Sequence, residues 1–331
     1  MDSFVAALDS LGREARARRG ERDLRLAKAL KASTRLAELA GRLSLQFLAG
    51  TWGWLFGVAA LGYYLAVEAQ LNHSIMHGAY EGLPGAGPFT RERYETLAVP
   101  FQCRTWRDAH RIHHATPSLL GKDPDRLHPL FRVHADVPWR PWHLGNAFLG
   151  ALFTFEHWAW DYDAFLKELG ARPRGDRGEA RKFARYVGYQ LVLFPALAGH
   201  RWPGVLAAGV AAIVLRNLVF TGLQTASSVG AEVSTRHPRA YAHHDKAHWY
   251  RFQIETSKNF ALRGPLALIC GGLHRHIEHH LWPSLPPTQL ASLSPEVRAI
   301  CRSHGVRYQE FASFSGSLGD SLSHLRQLSF R

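Results

Sequence analysis

The stretch "HRHIEHH", His274 to His280, puts four histidines into seven residues. Two further clusters precede it: His73 and His77 in "NHSIMHG", and His110, His113 and His114 in "HRIHH". Protonated, such groups would repel one another; neutral, they are the commonest metal ligands among side chains. On an α-helix, positions i, i+3 and i+4 share a face, so HxxxH, HxxHH and a second HxxHH (His276, His279, His280) each aim their rings one way. In a chain with twenty histidines one HxxHH arises by chance in roughly one sequence in fifteen, and two in well under about one in a hundred. The set is therefore read as ligands. Lone histidines (His128, His134, His143, His157, His200, His237 and His304) are read as ordinary surface or core residues.

The composition of the clusters limits the metal. The three cysteines, Cys103, Cys270 and Cys301, stand far apart with no CxxC, which gives no disulfide framework, no Fe–S cluster and no structural zinc signature. Eight imidazoles exceed what one ion takes, so two ions are expected. Imidazole suits Zn, Cu, Fe and Ni alike, and ligand type alone leaves the choice open. The membrane setting narrows it: an apolar substrate with no polar handle at its reacting carbon calls for a metal that activates O2.

That setting comes from the rest of the chain. It has 331 residues, 46% hydrophobic and 20% charged, a formal charge of +13 and a pI near 10.0. This excludes disorder and points to an anionic membrane face or acidic ligands. A nucleic-acid role is set aside, because the arginine run is N-terminal and carries no reader motif. Residues 1–42 read as a basic amphipathic arm, interfacial or solvated, and too long and polar for a signal peptide. Residues 43–67 carry no charge and are long enough to span a bilayer. A single span before the first cluster would leave the basic N-terminus on the far side of the membrane from it.

Residues 78–104 read as loop. A helix carrying His110 is expected to start at a capping box, Thr105 to Asp108. The Trp- and Phe-rich stretch 138–160 suits a membrane interface. Residues 186–229 read as a helical hairpin, with Arg201 and Arg216 snorkelling to opposite interfaces. Ser294-Pro295 reads as an N-cap with Pro at the first helical position, and Gly305 as the end of that helix. Three segments follow: an arm at 1–42, a catalytic domain at 43–310 and a tail at 311–331.

The three boxes, with "HSIMHGAYEGLPGAG", "HRIHHATPSLLGKDPD", "WYRFQIETSKNF" and "CGGLHRHIEHHLWPSLPP", resemble the membrane fatty acid desaturase superfamily over roughly residues 45–310. The resemblance implies an all-α, integral-membrane fold with a cytosolic cap that holds the boxes. It also implies that His73, His77, His110, His113, His114, His276, His279 and His280 ligate two non-haem irons. Glu278, Asp108, Asp123 and Asp125 are candidates for fixing ring tautomers; capping and turn chemistry is the alternative for the aspartates. The family often carries a further ligand, a histidine with a nearby amide, before the third box. Here "GLQTASSVGAEV" offers Gln224 and Ser228 instead. Gln224 could hold a metal-bound water through its carbonyl oxygen. His248, or His243 and His244 beside it, could supply a replacement imidazole.

The expected function is an O2-dependent di-iron fatty acyl desaturase that introduces a cis double bond. Its partners would be a fatty acyl substrate on CoA, a carrier protein or a lipid; membrane lipid; and an external electron donor such as ferredoxin or a cytochrome with its reductase. The chain shows no haem, flavin or dinucleotide motif of its own. The active site would face the cytoplasm. A hydroxylase or ketolase on the same scaffold, and a non-enzymatic zinc-binding membrane protein, are the alternatives.

Overall fold

In the computed structural model, residues 2–48, 50–126, 132–145, 149–233 and 245–330 are described. The chain is built of helices: α1 (Asp2–Ala17), α2 (Glu21–Phe47), α3 (Gly50–Met76), α4 (Cys103–Ala115), α5 (Leu149–Leu152), α6 (Thr154–Glu168), α7 (Gly178–Val187), α8 (Phe194–Leu197), α9 (Trp202–Ser228), α10 (Lys246–Glu255), α11 (Pro265–Ile269), α12 (His276–Leu281), α13 (Pro287–Ser303) and α14 (Phe314–Ser329). Two short parallel strands, β1 (Asn259–Phe260) and β2 (Glu310–Phe311), pair Asn259 with Glu310 and Phe260 with Phe311.

The expected N-terminal arm is two helices, separated at Arg18–Gly20, where Gly20 takes an extended backbone as the N-cap of α2. The second helix folds back on α3. Ser44 Oγ donates to Gly53 O at 2.7 Å, a Cβ on Gly41 would lie 3.0 Å from Leu61, and Thr34 Oγ1 donates to Glu68 at 2.7 Å. These pairings run antiparallel and set the basic start of α2 beside the histidine end of α3. The sequence hides this because α2 is amphipathic in an inverted sense. Thr34 is buried against Glu68 of α3, and Glu38 and Arg42 against Tyr189 and Gln190, while Leu36, Leu39, Leu43 and Phe47 are exposed along the opposite face.

Two helical segments, Gly50–Met76 and Gly199–Ser228, are long and apolar enough to cross a membrane. The exposed large apolar side chains Phe47, Trp52, Phe56, Leu197, Trp202 and Leu266 lie on or beside them. The hairpin expected at 186–229 is present, with a π-helical turn at Gly188–Leu193 before its bend. Arg216 does not snorkel. Arg216 is wholly enclosed: it donates to Glu156 at 2.5 Å, to Ala98 O at 2.8 Å and to Tyr186 OH at 3.2 Å. Arg201 donates to Gln46 O at 2.7 Å and to Leu48 O, closing the end of α2. Carbonyls and a carboxylate inside the bundle satisfy guanidinium groups that would otherwise seek water.

Two helix starts differ from expectation. Helix α4 begins at Cys103, and the Thr105 hydroxyl bonds Glu179 at 2.7 Å rather than capping. Helix α13 begins at Pro287 and runs through Pro295, while Ser294 Oγ donates back to Leu290 O. Pro287 provides the preformed first-turn φ eight residues earlier. Gly305, with φ +63°, follows its end as expected.

Candidate metal centre

Each box is placed by a different element. His73 lies on the last turn of α3, and His77 follows it, its N–H bonded to His73 O at 3.2 Å. His110, His113 and His114 project from α4, and His276, His279 and His280 from the six-residue α12. The rings converge. His73 and His110 bring their Nε2 atoms to 3.3 Å, and His110 and His114 to 3.2 Å. Ring centroids stand 4.6 Å apart for His73 and His279, 4.5 Å for His77 and His114, and 4.4 Å for both His114–His280 and His276–His280.

Two groupings have ligand atoms mutually within 4.8 Å: His73, His77, His110, His114 and His279; and His110, His113 and Asp125. Burial, then the neighbouring imidazoles, holds His77, His110, His114, His279 and His280 well below the ordinary histidine value, which favours the neutral form of these rings. A neutral imidazole has one lone pair to give.

Three rings are oriented from behind. His113 donates through Nδ1 to Asp123 at 2.8 Å, His276 to Ser227 O at 3.2 Å, and His280 to Gln253 Oε1 at 3.0 Å. A proton on Nδ1 leaves Nε2 as the lone-pair donor, the usual arrangement behind a metal-bound histidine. The Nε2 atoms of His77, His279 and His280 are buried without a hydrogen-bond partner. Buried polar atoms of this kind need a partner, and a cation among the rings satisfies all of them. The donor set, imidazole with an oxygen at its edge and no thiolate, fits iron or another first-row ion.

The expected supporting carboxylates divide. Asp123 supports His113, and accepts the Ser118 and Asp125 N–H groups as well. Asp125 stands 3.6 Å from His113 Nδ1 and 3.9 Å from His110 Nδ1, and takes hydrogen bonds from Tyr162 OH and Gln224 Nε2 at 2.7 and 3.1 Å. Gln224 thus reaches the centre through Asp125. Ser228 donates to the Gln224 carbonyl at 2.7 Å. Asp108 instead pairs with Arg107.

Glu278 points away from the rings, accepting from Asn259 at 2.8 Å and Tyr308 at 2.6 Å, and burial pushes its carboxyl up. Its place is structural: Asn259 also caps Ile277 N–H, tying α12 to β1. His248 sits on the first turn of α10, where its N–H is bonded to Asp245, and it belongs to neither ligand grouping. His128, His237, His243 and His244 lie outside the described residues.

Two residues escaped the sequence reading. Trp106 stacks on His110, 4.1 Å between centroids and 22° between planes, and lies edge-on to His73 and His77. Its signal was the i, i+4 spacing to His110. Gln253 lies far from every box in sequence; it falls within the quoted stretch "WYRFQIETSKNF", but no spacing to a histidine box singled it out.

Fold and site together define a helical protein with a buried histidine cluster able to hold metal and with helices suited to a membrane. The sequence profile of fatty acid desaturases matches residues 50–312, and the chain belongs to this family; it is a fatty acid desaturase. It is 28% identical to the NADPH-dependent stearoyl-CoA 9-desaturase of Mycobacterium tuberculosis over 99% of this chain and 80% of that protein. It is 22% identical to the sn-1 linoleoyl-lipid 6-desaturase of Synechocystis over 81% of this chain and 78% of that protein. With fatty acid desaturase 3 of Bos taurus it shares 25% identity over 83% and 62% of the two chains.

Proposed function

We propose that the eight box histidines hold two non-haem irons and that the chain removes two hydrogens from adjacent methylenes of an acyl chain, leaving a cis double bond. Bound iron supplies the redox chemistry that couples O2 reduction to that removal. The balance is one saturated chain, O2, two protons and two electrons giving the alkene and two waters. The observation that carries this reading is the set of buried Nε2 atoms without protein partners on His77, His279 and His280, the last of which Gln253 tethers through Nδ1.

The chain's own part is binding and exclusion of water. An apolar chamber of about 630 Å³ between α3 and α9, walled by Tyr63, Val67, Leu215, Val219, Leu223 and Leu266, lies along the helix that ends in His73. Its size and lining suit an acyl chain. The two electrons come from an external donor. The boxes face the cytoplasm: Arg18 in the α1–α2 turn, Arg22 and Arg25 on α2, and Arg104 and Arg111 on α4, all exposed, lie near the box-bearing end, as the positive-inside rule favours.

The test has two parts. Metal analysis of purified protein should give about two irons per chain. Incubation with a saturated acyl substrate, O2 and a reductase system should give product lighter by two mass units. Zinc in place of iron, or product heavier by sixteen, would overturn the reading in favour of a zinc protein or a hydroxylase. Sustained turnover without an added donor would overturn the external electron source.

A further inference from the structure

The last carbonyls of a helix lack donors within the helix and must find them elsewhere. At the end of α9 other parts of the chain supply them. Ser317 Oγ donates to Ala226 O at 2.6 Å. Ser321 Oγ lies 2.9 Å from Thr225 O and 2.6 Å from Val229 O, which share its proton. Both serines are on α14 and wholly enclosed. Ser227 O, between these carbonyls, accepts the Lys258 N–H at 2.9 Å and faces His276 Nδ1 at 3.2 Å. A carbonyl oxygen only accepts, so the His276 proton sits on Nδ1 and the lone pair on Nε2.

Lys258 joins the two sets of bonds. Its backbone holds Ser227 O, while its side chain, also wholly enclosed, donates to Asp320 at 2.8 Å, Ser321 Oγ at 2.9 Å and Ser317 O at 3.1 Å. A buried ammonium persists only where it is paired and hydrogen-bonded, and three oxygens of α14 meet that need. The fit is close: a Cβ on Gly230 would lie 2.4 Å from Asp320 Oδ2 and 3.0 Å from Lys258 Nζ. The next residue, Asn259, accepts the Ile277 N–H at 3.0 Å. Residues 258 and 259 thus frame His276 from two sides, one through Ser227 and the other through the start of α12. Helix α14 lies beyond residue 312, where the desaturase profile ends, in the stretch that the sequence presents as a tail.

We propose that the C-terminal helix α14 is a positioning element of the metal centre. Lys258, Asp320, Ser317 and Ser321 fix the last turn of α9, and Ser227 O then holds the His276 imidazole in the ligand tautomer. This rests on the metal reading of the boxes and extends it to residues that touch no box histidine. Supports of this kind, one bond behind a ligand, set its orientation and basicity.

Titration of the metal-free, full-length protein in detergent with Co2+ tests this, followed by the visible ligand-field absorption of the bound ion. It needs neither iron nor turnover. The variants are K258M/D320L, which replaces the buried pair without stranding a charge, and Ser321→Ala, which removes one hydroxyl should the first fail to fold. The control is R216M/E156L, a buried pair replaced elsewhere in the bundle. In both test variants one bound Co2+ should lose about tenfold or more in affinity and its absorption should shift, with the other ion unchanged. Asp320→Asn, which keeps an oxygen toward Lys258, should stay closer to wild type in both readouts. Unchanged affinity and spectrum in K258M/D320L and Ser321→Ala would overturn the proposal. So would a loss shared equally by both ions, or one matched by the control, since either would mark a purely structural effect. Wild-type protein that binds no Co2+ would bring down the metal reading itself, and the proposal with it.

Discussion

Gln253 holds His280 and the backbone of His114 at once. Its Oε1 faces His280 Nδ1 at 3.0 Å, while its Nε2 donates to His114 O at 2.9 Å. The second bond fixes the orientation of the amide, so the oxygen is the atom presented to the ring. One side chain on α10 therefore sets the tautomer of a box on α12 and anchors the end of the box on α4. Gln253→Leu should lower metal affinity about 10- to 100-fold, the usual range for losing such a support. Titration of metal-free protein with ferrous ion would read it. Gln253→Glu, which keeps an acceptor toward His280, should recover part of the loss.

His113→Ala and His279→Ala should each abolish turnover at equal expression, because residues that act as a unit are strongly non-additive. Asp123→Asn is the finer test. It keeps the shape and can present an N–H where His113 needs an acceptor, so iron content should fall more than thermal stability does. Unchanged product yield in either histidine variant would remove the di-iron assignment.

Arg216 and Glu156 form an ion pair inside the bundle, 2.5 Å apart, with the arginine wholly enclosed and Asn217 bonded to the same carboxylate. Removing one partner strands a charge. Glu156→Ala should destabilise by about 3–5 kcal/mol, and replacing both, as in R216M/E156L, should restore much of it. Denaturation in detergent compares the three. Equal stability of single and double variants would show that the charge finds another partner.

Helix α1 packs on the third box. Phe4, Leu8 and Leu11 share a buried cluster with Ile277, Leu281 and Trp282, and a Cβ on Gly12 would lie 2.4 Å from the Trp282 indole nitrogen. Gly12→Val should therefore lower iron content as well as stability, and deleting residues 1–19 should do so more severely. A truncated chain with full iron would return this segment to the role of a membrane arm.

The metal-free protein should lose stability as pH falls. His77, His110, His114, His279 and His280 are held well below the ordinary 6.5, first by burial and then by one another. Below that value the unfolded chain binds protons that the folded chain refuses, so stability rises with pH through this window. The melting midpoint of metal-free protein should be flat above about pH 7.5 and fall steadily below about 6.5. A midpoint that rises on acidification would mean that the rings are charged when folded.

The sequence by itself marked the candidate ligands. Eight histidines at helical spacings define three ring-bearing faces, because the 3.6-residue period is local and needs no partner. The hairpin at 186–229 was legible for the same reason, whereas the apolar run at 43–67, read as one span, holds a turn: α2 ends at Phe47 and α3 runs from Gly50 to Met76. What the tertiary structure decided is everything that depends on which way a face turns. Helix α2 reads as a charged arm, yet Thr34 and Arg42 meet Glu68 of α3 and Gln190 while Leu36, Leu39 and Leu43 face outward. Arg216 reads as interfacial and is enclosed, because Glu156, 60 residues away, meets it. Glu278 sits inside a box and supports β1, whereas Gln253, outside every box, supports a ring. A side chain's partner across the bundle is set by long-range packing, and one sequence carries no local trace of it.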